Sequence, residues 1–357
     1  MKKLNLAIIG QGRSGKDIHG VYYRSDKNKY YNVKYVVDSD EHRRRVAEEI
    51  YPGCRTFADY CELFEFDDID LVVNATYSES HATITEDLLL HGYNVMVEKP
   101  FARTRYECDR LIKIAEERGL TLAVFQQTFL APFYLYTYDL IKSGKLGEIK
   151  EISIRYCGLC RRWDWQTLQK KVAGSLYNTG PHPVGMALGF IDFAPDAKVV
   201  FSKLDTALTS GDADDYAKII ITAHGHPVID VEISSIDAYS DYTVKLQGTL
   251  GTYKATTKSY KMKYIIDGEN PERPVVETFL EDENKNPAYC SEQLITHTEE
   301  GCFDGDAFDV GTPSIYEQLY YKITENKPMT VTPKMAADVI SVIEETHAQN
   351  PLPVKFL

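Results

Sequence analysis

The sequence predicts an α/β protein in two parts. A doubly wound parallel sheet occupies residues 1–127, and a second, strand-rich α/β domain occupies 128–357. Three observations carry this. Short apolar runs alternate with helix-like stretches through the first third of the chain. A Gly-x-Gly-x-x-Gly segment, Gly10-Gln11-Gly12-Arg13-Ser14-Gly15, follows the first apolar run directly. After Ala187 the pattern changes to closely spaced strands, separated by turns such as Gly225-His226-Pro227. A length of 357 residues also exceeds what one core usually spans.

The elements follow in order. Residues 4–9 are a strand, and the stretch after the glycine loop is helical to about Arg24. Residues 33–37 are a second strand, ending on Asp38. Residues 69–75, 93–97 and 120–125 are strands. Residues 79–91 and 104–118 are helices, closed by Gly92 and Gly119. Ligands of such sheets sit at the carboxyl ends of the strands. The informative positions are therefore the glycine loop, Asp38, Asn74-Ala75-Thr76-Tyr77, Glu98-Lys99-Pro100 and Gln126-Gln127.

The formal charge of −13 argues against nucleic acid and anionic membranes as partners, because both repel a net anion. No run approaches the roughly 18 apolar residues of a membrane span. Seven scattered cysteines and no secretory signal point to reduced thiols and a cytoplasmic protein. Cys157-Gly-Leu-Cys160 lacks the two further ligands that zinc requires, so no metal is expected.

The chemistry of the first motif is separable by residue. Gly10 permits the tight turn. Gly12 lets a pyrophosphate approach the backbone, and Gly15 lets helix and strand pack closely. The helix N-terminus offers free N–H groups to phosphate. Asp38 then accepts from the adenosine ribose hydroxyls and repels a 2′-phosphate, which favours NAD over NADP. Arg43-Arg44-Arg45 is the counter-argument: either a solvated helix face, or a residue packing over adenine or serving NADP. Lys99 ends a strand and points into the nicotinamide crevice, where it can stabilise a developing alkoxide. Glu98 contacts the cofactor or holds the lysine. The alternative for this tripeptide is a surface salt bridge followed by a helix-breaking proline.

The order of these features is specific. The glycine loop, Asp38, the segment Asn74-Ala-Thr76-Tyr77-Ser-Glu-Ser-His81 and the segment Gly92-Tyr-Asn-Val-Met-Val-Glu98-Lys99-Pro100 resemble the glucose–fructose oxidoreductase/inositol dehydrogenase (Gfo/Idh/MocA) family. The helix ending Ile141-Lys-Ser-Gly144-Lys-Leu-Gly147 is similar to that family's entry into its second domain. The resemblance covers residues 1 to about 190. It implies a Rossmann domain and a C-terminal α/β domain with a large, mostly antiparallel open sheet. It further implies a nicotinamide cofactor held by the glycine loop, Asp38, Thr76, Tyr77, His81, Glu98, Lys99 and Gln127. Its substrates are sugars or polyols, and its members form dimers or tetramers through the open sheet.

The family's acid/base motif resembles Gly174-Ser-Leu-Tyr177-Asn178-Thr-Gly180-Pro-His182-Pro183. His182 falls at the family histidine and Lys99 at the family lysine. Asn178 stands where the family has aspartate, so the charge that would raise a neighbouring imidazole is missing. His182 starts a helix, where the dipole disfavours imidazolium; its other reading is a packing residue at a tight turn. Arg161-Arg162-Trp163-Asp164-Trp165 holds both tryptophans and is placed to overhang the cleft. There, with Tyr177, it would stack on a sugar or bind a substrate anion; otherwise it anchors a domain interface. Residues 149–157, 199–204, 216–223, 228–235 and 242–247 are strands. Residues 267–312, polar and acidic, are a partner arm, a lid or a surface excursion. Helices follow at 314–325 and 334–347, the second capped by Thr332.

The sequence therefore points to hydride transfer between NAD(H) and a carbinol carbon of a sugar, glycoside or polyol. The competing readings are a hydrolase or lyase that uses tightly held NAD for transient oxidation, and a dinucleotide-binding sensor without catalysis.

Overall fold

The computed structural model describes residues 2–356. Six parallel strands form the first sheet: β1 (Leu4–Ile9), β2 (Tyr31–Val37), β3 (Arg55–Phe57), β4 (Leu71–Asn74), β5 (Val95–Val97) and β6 (Leu122–Val124). Their order is β3-β2-β1-β4-β5-β6, the doubly wound arrangement. The connections are a π-helical turn (Arg13–His19) running into α1 (Gly20–Arg24), then α2 (Glu41–Ile50), α3 (His81–Leu90) and α4 (Arg105–Glu117). Local chemistry explains the boundaries. Thr104 and Glu107 form a reciprocal capping box at the start of α4. Asp40 accepts from the N–H groups of His42 and Arg43 at the start of α2. Strand β3 was not legible in the sequence, because it is short and pairs only through its backbone with β2.

Alternation along β1 builds two cores. Ala7 and Ile9 join a cluster with α3 and α4 that continues into the second sheet. Leu6 and Ile8 join a second cluster rich in tyrosine, including Tyr22, Tyr23, Tyr31 and Tyr316. Tyr316 comes from far along the chain, so the carboxy-terminal half closes the outer face of the first sheet.

Helix α5 (Pro132–Ser143) leads out of the first sheet and ends at Gly144, which adopts a left-handed conformation with φ +70°. The second sheet has eight strands. In chain order they are β7 (Ile149–Cys157), β8 (Lys198–Asp205), β9 (Tyr216–Thr222), β10 (Val228–Ser234), β11 (Val244–Gly248), β12 (Gly251–Ala255) and β13 (Ser259–Tyr264). A short pair, β14 (Leu280–Glu281) and β15 (Pro287–Ala288), precedes the eighth, β16 (His297–Cys302). The order is β16-β13-β12-β11-β7-β10-β9-β8, antiparallel except where β7 meets β10. Two helices separate β7 from β8: α6 (Ser175–Asn178) and α7 (Pro181–Phe190). Helices α8 (Thr312–Glu325) and α9 (Pro333–Gln349) complete the chain, and Thr332 caps α9 through Met335 N. Helices α7 and α9 cover one face of this sheet. The other face carries polar side chains, among them Arg155, Lys218, Asp230 and Glu232, which pair with one another.

One expectation is corrected here. Residues 267–312 are not one irregular excursion. Residues 297–302 form β16, the edge strand of the second sheet, and residues 307–311 form a π-helical turn before α8.

Candidate active site

The glycine loop is packed on its inner side and open on its outer side. Gly10 has φ +92°, and a Cβ there would lie 2.5 Å from the Ala75 carbonyl oxygen. A Cβ on Gly15 would lie 1.8 Å from the Gly10 oxygen, whereas nothing lies within 4 Å of the position a Gly12 Cβ would take. Only Gly10 and Gly15 are thus required by the protein's own packing. The free space at Gly12 is what a pyrophosphate needs. The amide oxygens of Gln11, Gln126 and Gln127 are buried without a partner at the ends of β1 and β6. A donor-bearing ligand in this crevice would satisfy them. The residues present therefore fit a dinucleotide.

Asp38 is buried at the end of β2. Its Oδ2 accepts from Gln11 N at 2.7 Å and its Oδ1 from Asp40 N at 2.9 Å. The three arginines of α2 part company. Arg43 lies 3.6 Å from Asp38, Arg44 donates to the Asp38 carbonyl at 2.7 Å, and Arg45 pairs with Glu41. Arg43 thus stands beside the Asp38 carboxylate, while Arg45 is the solvated face expected from sequence.

The end of β5 is the electrostatic centre. Glu98 is buried and would be pushed up by desolvation, but His19, Lys99 and His81 outweigh this and hold it at about 2. His19 Nε2 lies 2.9 Å from Glu98 Oε1, and His19 Nδ1 lies 2.7 Å from the Tyr316 hydroxyl. An ionised carboxylate only accepts, so His19 Nε2 is the donor to Glu98. The peptide bond between Lys99 and Pro100 is cis. Lys99 N donates to Glu98 Oε2 at 3.0 Å. Lys99 Nζ donates to the Asn178 carbonyl at 2.8 Å and approaches its Oδ1 at 3.4 Å. Burial lowers the Lys99 pKa; Glu98 opposes this, and the charges of Arg13 and Arg162 add to it.

His182 enters from the start of α7. Its Nδ1 lies 2.8 Å from Thr128 Oγ1. Burial and the nearby Lys99 charge push it down to about 3, so the ring is a neutral imidazole at physiological pH. Asn178 also accepts from Gln166 Nε2 at 3.0 Å, which fixes the amide that faces the lysine. A cavity of about 520 Å³ opens next to Asn178, lined also by Arg162, Cys160, Thr179, Ser234 and Ser235.

The structure brings together Lys99, Asn178, His182 and Arg162 of the residues read from sequence. It does not bring all of them. His81 is buried with Nδ1 2.7 Å from the Pro100 carbonyl and Nε2 3.2 Å from the Thr76 carbonyl; burial favours the neutral ring, whose single N–H is taken by one of these two carbonyls, so it braces the local loops. Thr76 donates to Asn74 Oδ1 at 2.7 Å. Tyr177 is buried, stacks on His347 and donates to the Arg103 carbonyl, which keeps it out of the cavity wall. Trp163 is 78% exposed, Arg161 faces solvent, and Trp165 meets Tyr77 edge to face at 4.9 Å. Arg162 pairs with Asp164. Ser14 is half-buried on the loop and Arg13 is exposed.

Sequence reasoning missed His19, Thr128, Gln166 and Tyr316. The first sits on the glycine-loop helix, and the second just past β6, at a strand end where ligands gather. Nothing local marks Gln166 or Tyr316. Among the described residues, no group of three or more His, Cys, Asp or Glu is placed to hold a metal ion, and no helix is long and apolar enough to cross a membrane.

Comparison with known proteins agrees with this geometry. Residues 4–126 match the oxidoreductase family with an NAD-binding Rossmann fold, and residues 134–254 match the GFO/IDH/MocA C-terminal domain. The chain is 32% identical over 157 residues to an uncharacterised oxidoreductase, YhhX, of Escherichia coli; the match covers 43% of this chain and 44% of the relative. It is 24% identical over 303 residues to the 2,7-anhydro-N-acetylneuraminate hydratase of Mediterraneibacter gnavus, covering 81% and 77% of the two chains. The crystal structure of an NAD-binding protein from Listeria innocua superposes with a TM-score of 0.79 at 20% identity, covering 98% of each chain. The two matched regions together take in more than half of the chain, and this protein belongs to the Gfo/Idh/MocA family of oxidoreductases.

Proposed function

We propose that the protein transfers hydride between a bound nicotinamide and a carbinol or carbonyl carbon of a sugar, glycoside or polyol, with NAD preferred over NADP. The observation that carries this reading is the convergence of Lys99, Asn178 and His182 at the carboxyl end of the first sheet, beside a cavity rich in hydroxyl and amide groups. Bound NAD would be held by the glycine loop, Asp38 and the strand-end glutamines, and supplies the hydride acceptor. Asp38 would favour NAD: its buried carboxylate ends β2, where this reading sets the adenosine ribose.

In the oxidative direction Lys99 Nζ donates to the substrate oxygen and stabilises the charge that grows there. His182 accepts the hydroxyl proton at Nε2, since Nδ1 is engaged by Thr128. The alcohol loses a proton and a hydride and becomes the carbonyl. Asn178 aligns the lysine by two oxygens without adding charge. Placement in the cytoplasm and assembly as a dimer or tetramer belong to the same reading, as does a division of the chain near residue 127.

A second reading is elimination or hydration through transient oxidation, with no net change of cofactor. Two observations favour it: the similarity to a hydratase, and the absence of the aspartate charge at Asn178. A panel of sugars, polyols and glycosides, tested with NAD and NADP, separates the two. Net formation or loss of the reduced nicotinamide absorbance supports the first reading. Product formation without that change, by protein that retains cofactor through gel filtration, supports the second. Lys99→Met should lower the chemical step by roughly 10²–10³-fold, and a loss below about threefold overturns its role in either reading.

A further inference from the structure

Two amide orientations beside Lys99 are fixed by chemistry. A lysine ammonium carries donors only, so the Asn178 atom it approaches at 3.4 Å is the oxygen, Oδ1. The Gln166 atom 3.0 Å from that oxygen must then be the nitrogen, Nε2. Turning either amide, or both, would set two donors or two acceptors face to face. The arrangement carries a cost, because Gln166 Oε1 is left buried without a partner. It also has a consequence. Asn178 Nδ2 is turned away from the lysine, and among the described residues it donates to nothing. Asn178 lines the cavity of about 520 Å³, and Nδ2 is the amide atom left to face it.

The charges of the cavity wall are unequal in freedom. Arg155 is held by Asp230 and Glu232, and Asp241 by Lys254. Arg162 lines the same cavity, and its charge reaches Lys99. It uses Nε and Nη2 on Asp164, which leaves Nη1. The two side chains of that pair are 41% and 44% exposed, so water weakens it and a ligand can compete for the guanidinium.

Asn178 therefore stands between two cations, and neither is matched by a free carboxylate. Glu98, the nearest to Lys99, is taken by His19 and by the Lys99 N–H. Ser175 and Thr179 add hydroxyls to the same wall. Converging donors with an excess of positive charge recognise an anionic oxygen group. An aspartate at position 178 would put a negative charge in the same place and repel such a group.

We propose that the substrate is an anionic sugar, its carboxylate or phosphate received by Asn178 Nδ2 and Arg162 while its reacting carbinol meets Lys99. The proposal rests on the site assigned above and narrows its substrate. The ligand's own charge then stands near the ammonium, where the protein supplies only dipoles, and favours its protonated form.

Binding of matched neutral and anionic sugars to the NADH-loaded protein tests it, read by nicotinamide fluorescence. The pairs are glucose with glucuronate, galactose with galacturonate, and each hexose with its terminal phosphate. At least one anionic member should bind at least about tenfold more tightly than its neutral partner, and by a smaller margin at high salt. Preference for the uronates assigns a carboxylate, and preference for the phosphates assigns a phosphate. Asn178→Asp and Arg162→Gln should each lower the anionic-to-neutral ratio by at least about tenfold. A ratio taken within one variant cancels any change at Lys99 that both ligands share. Circular dichroism identical to wild type shows that each variant folds. A panel in which no anion outbinds its neutral partner overturns the proposal, as does a wild-type ratio in either folded variant. The same panel followed by nicotinamide absorbance keeps this proposal apart from hydride transfer. Anion preference in binding with no absorbance change removes hydride transfer and leaves the proposal. Binding and oxidation of neutral sugars in preference to anionic ones removes the proposal and leaves hydride transfer.

Discussion

Lys99 Nζ lies 2.8 Å from the backbone carbonyl of Asn178 and 3.4 Å from its side-chain oxygen. The lysine thus meets two dipoles and no charge at the position where the family has aspartate. Its nearest carboxylate, Glu98, is its own neighbour in sequence and is shared with His19. Burial therefore wins over Coulombic support, and the ammonium is easier to deprotonate than an ordinary lysine.

Asn178→Asp should reverse this. A carboxylate at that distance favours the ammonium, so the alkaline limb of the kcat/KM profile should move up by about 1 pH unit or more. The pH-rate profile of the two proteins checks it. An unmoved limb, with the variant folded, would show that Lys99 does not set it.

His182 should contribute no acid limb near the usual histidine range. Burial and Lys99 hold it at about 3, so the ring is already neutral well below pH 6. Wild-type activity should stay level from about pH 8 down to about pH 5, as far as stability allows. A limb near 6.5 that disappears in His182→Gln would contradict the assigned environment.

Cofactor choice should respond to Asp38 and Arg43 in opposite senses. Asp38→Ala removes the carboxylate that Arg43 approaches to 3.6 Å and, on the proposed reading, leaves that guanidinium for a 2′-phosphate. The ratio of NADP to NAD affinity, measured by fluorescence titration, should rise by at least about tenfold. Asp38→Ala with Arg43→Ala should lose most of that gain.

Asp214 gives a stability prediction. It is buried, its Oδ2 accepts from Leu176 N at 2.8 Å, and its Oδ1 lies 3.9 Å from His347 Nε2. Burial raises it from 3.8 to about 7 despite the Leu176 bond. The native state therefore keeps a proton that the unfolded chain releases between about pH 4 and 7, and stability falls as pH rises through that window. Asp214→Asn removes this term. The difference in unfolding free energy between variant and wild type should drift in favour of the variant from pH 4 to 7, by at most about 4 kcal/mol, and then level off. Urea titrations at several pH values measure it, and a flat difference refutes it.

The fold was largely legible because its signals are local. The glycine loop, the glycines that end helices and the alternation of strand and helix all act within a few residues. Strand β16 was not, because His-Thr-Glu-Glu-Gly-Cys has no apolar face and is held by backbone pairing with β13. The site was legible where it sits at strand ends, as at Lys99 and Asp38. His81 and Tyr177 fitted the motif positions, but their neighbours in space, Pro100 and His347, took up their polar or aromatic faces. Those contacts span the chain and leave no mark on local sequence. Tyr316 reaches His19 across 297 residues for the same reason.

The Tyr316–His19–Glu98 chain also bears on how this architecture can be recombined. The glycine-loop helix leans on a hydroxyl supplied by α8, and Tyr22, Tyr23 and Tyr31 surround the same ring. The first sheet is thus not a portable cartridge. A graft that carried only the amino-terminal strands onto another scaffold would leave His19 facing an empty socket and a ring of tyrosines facing water. Inheritance of this nucleotide fold must keep its distant last-but-one helix in step.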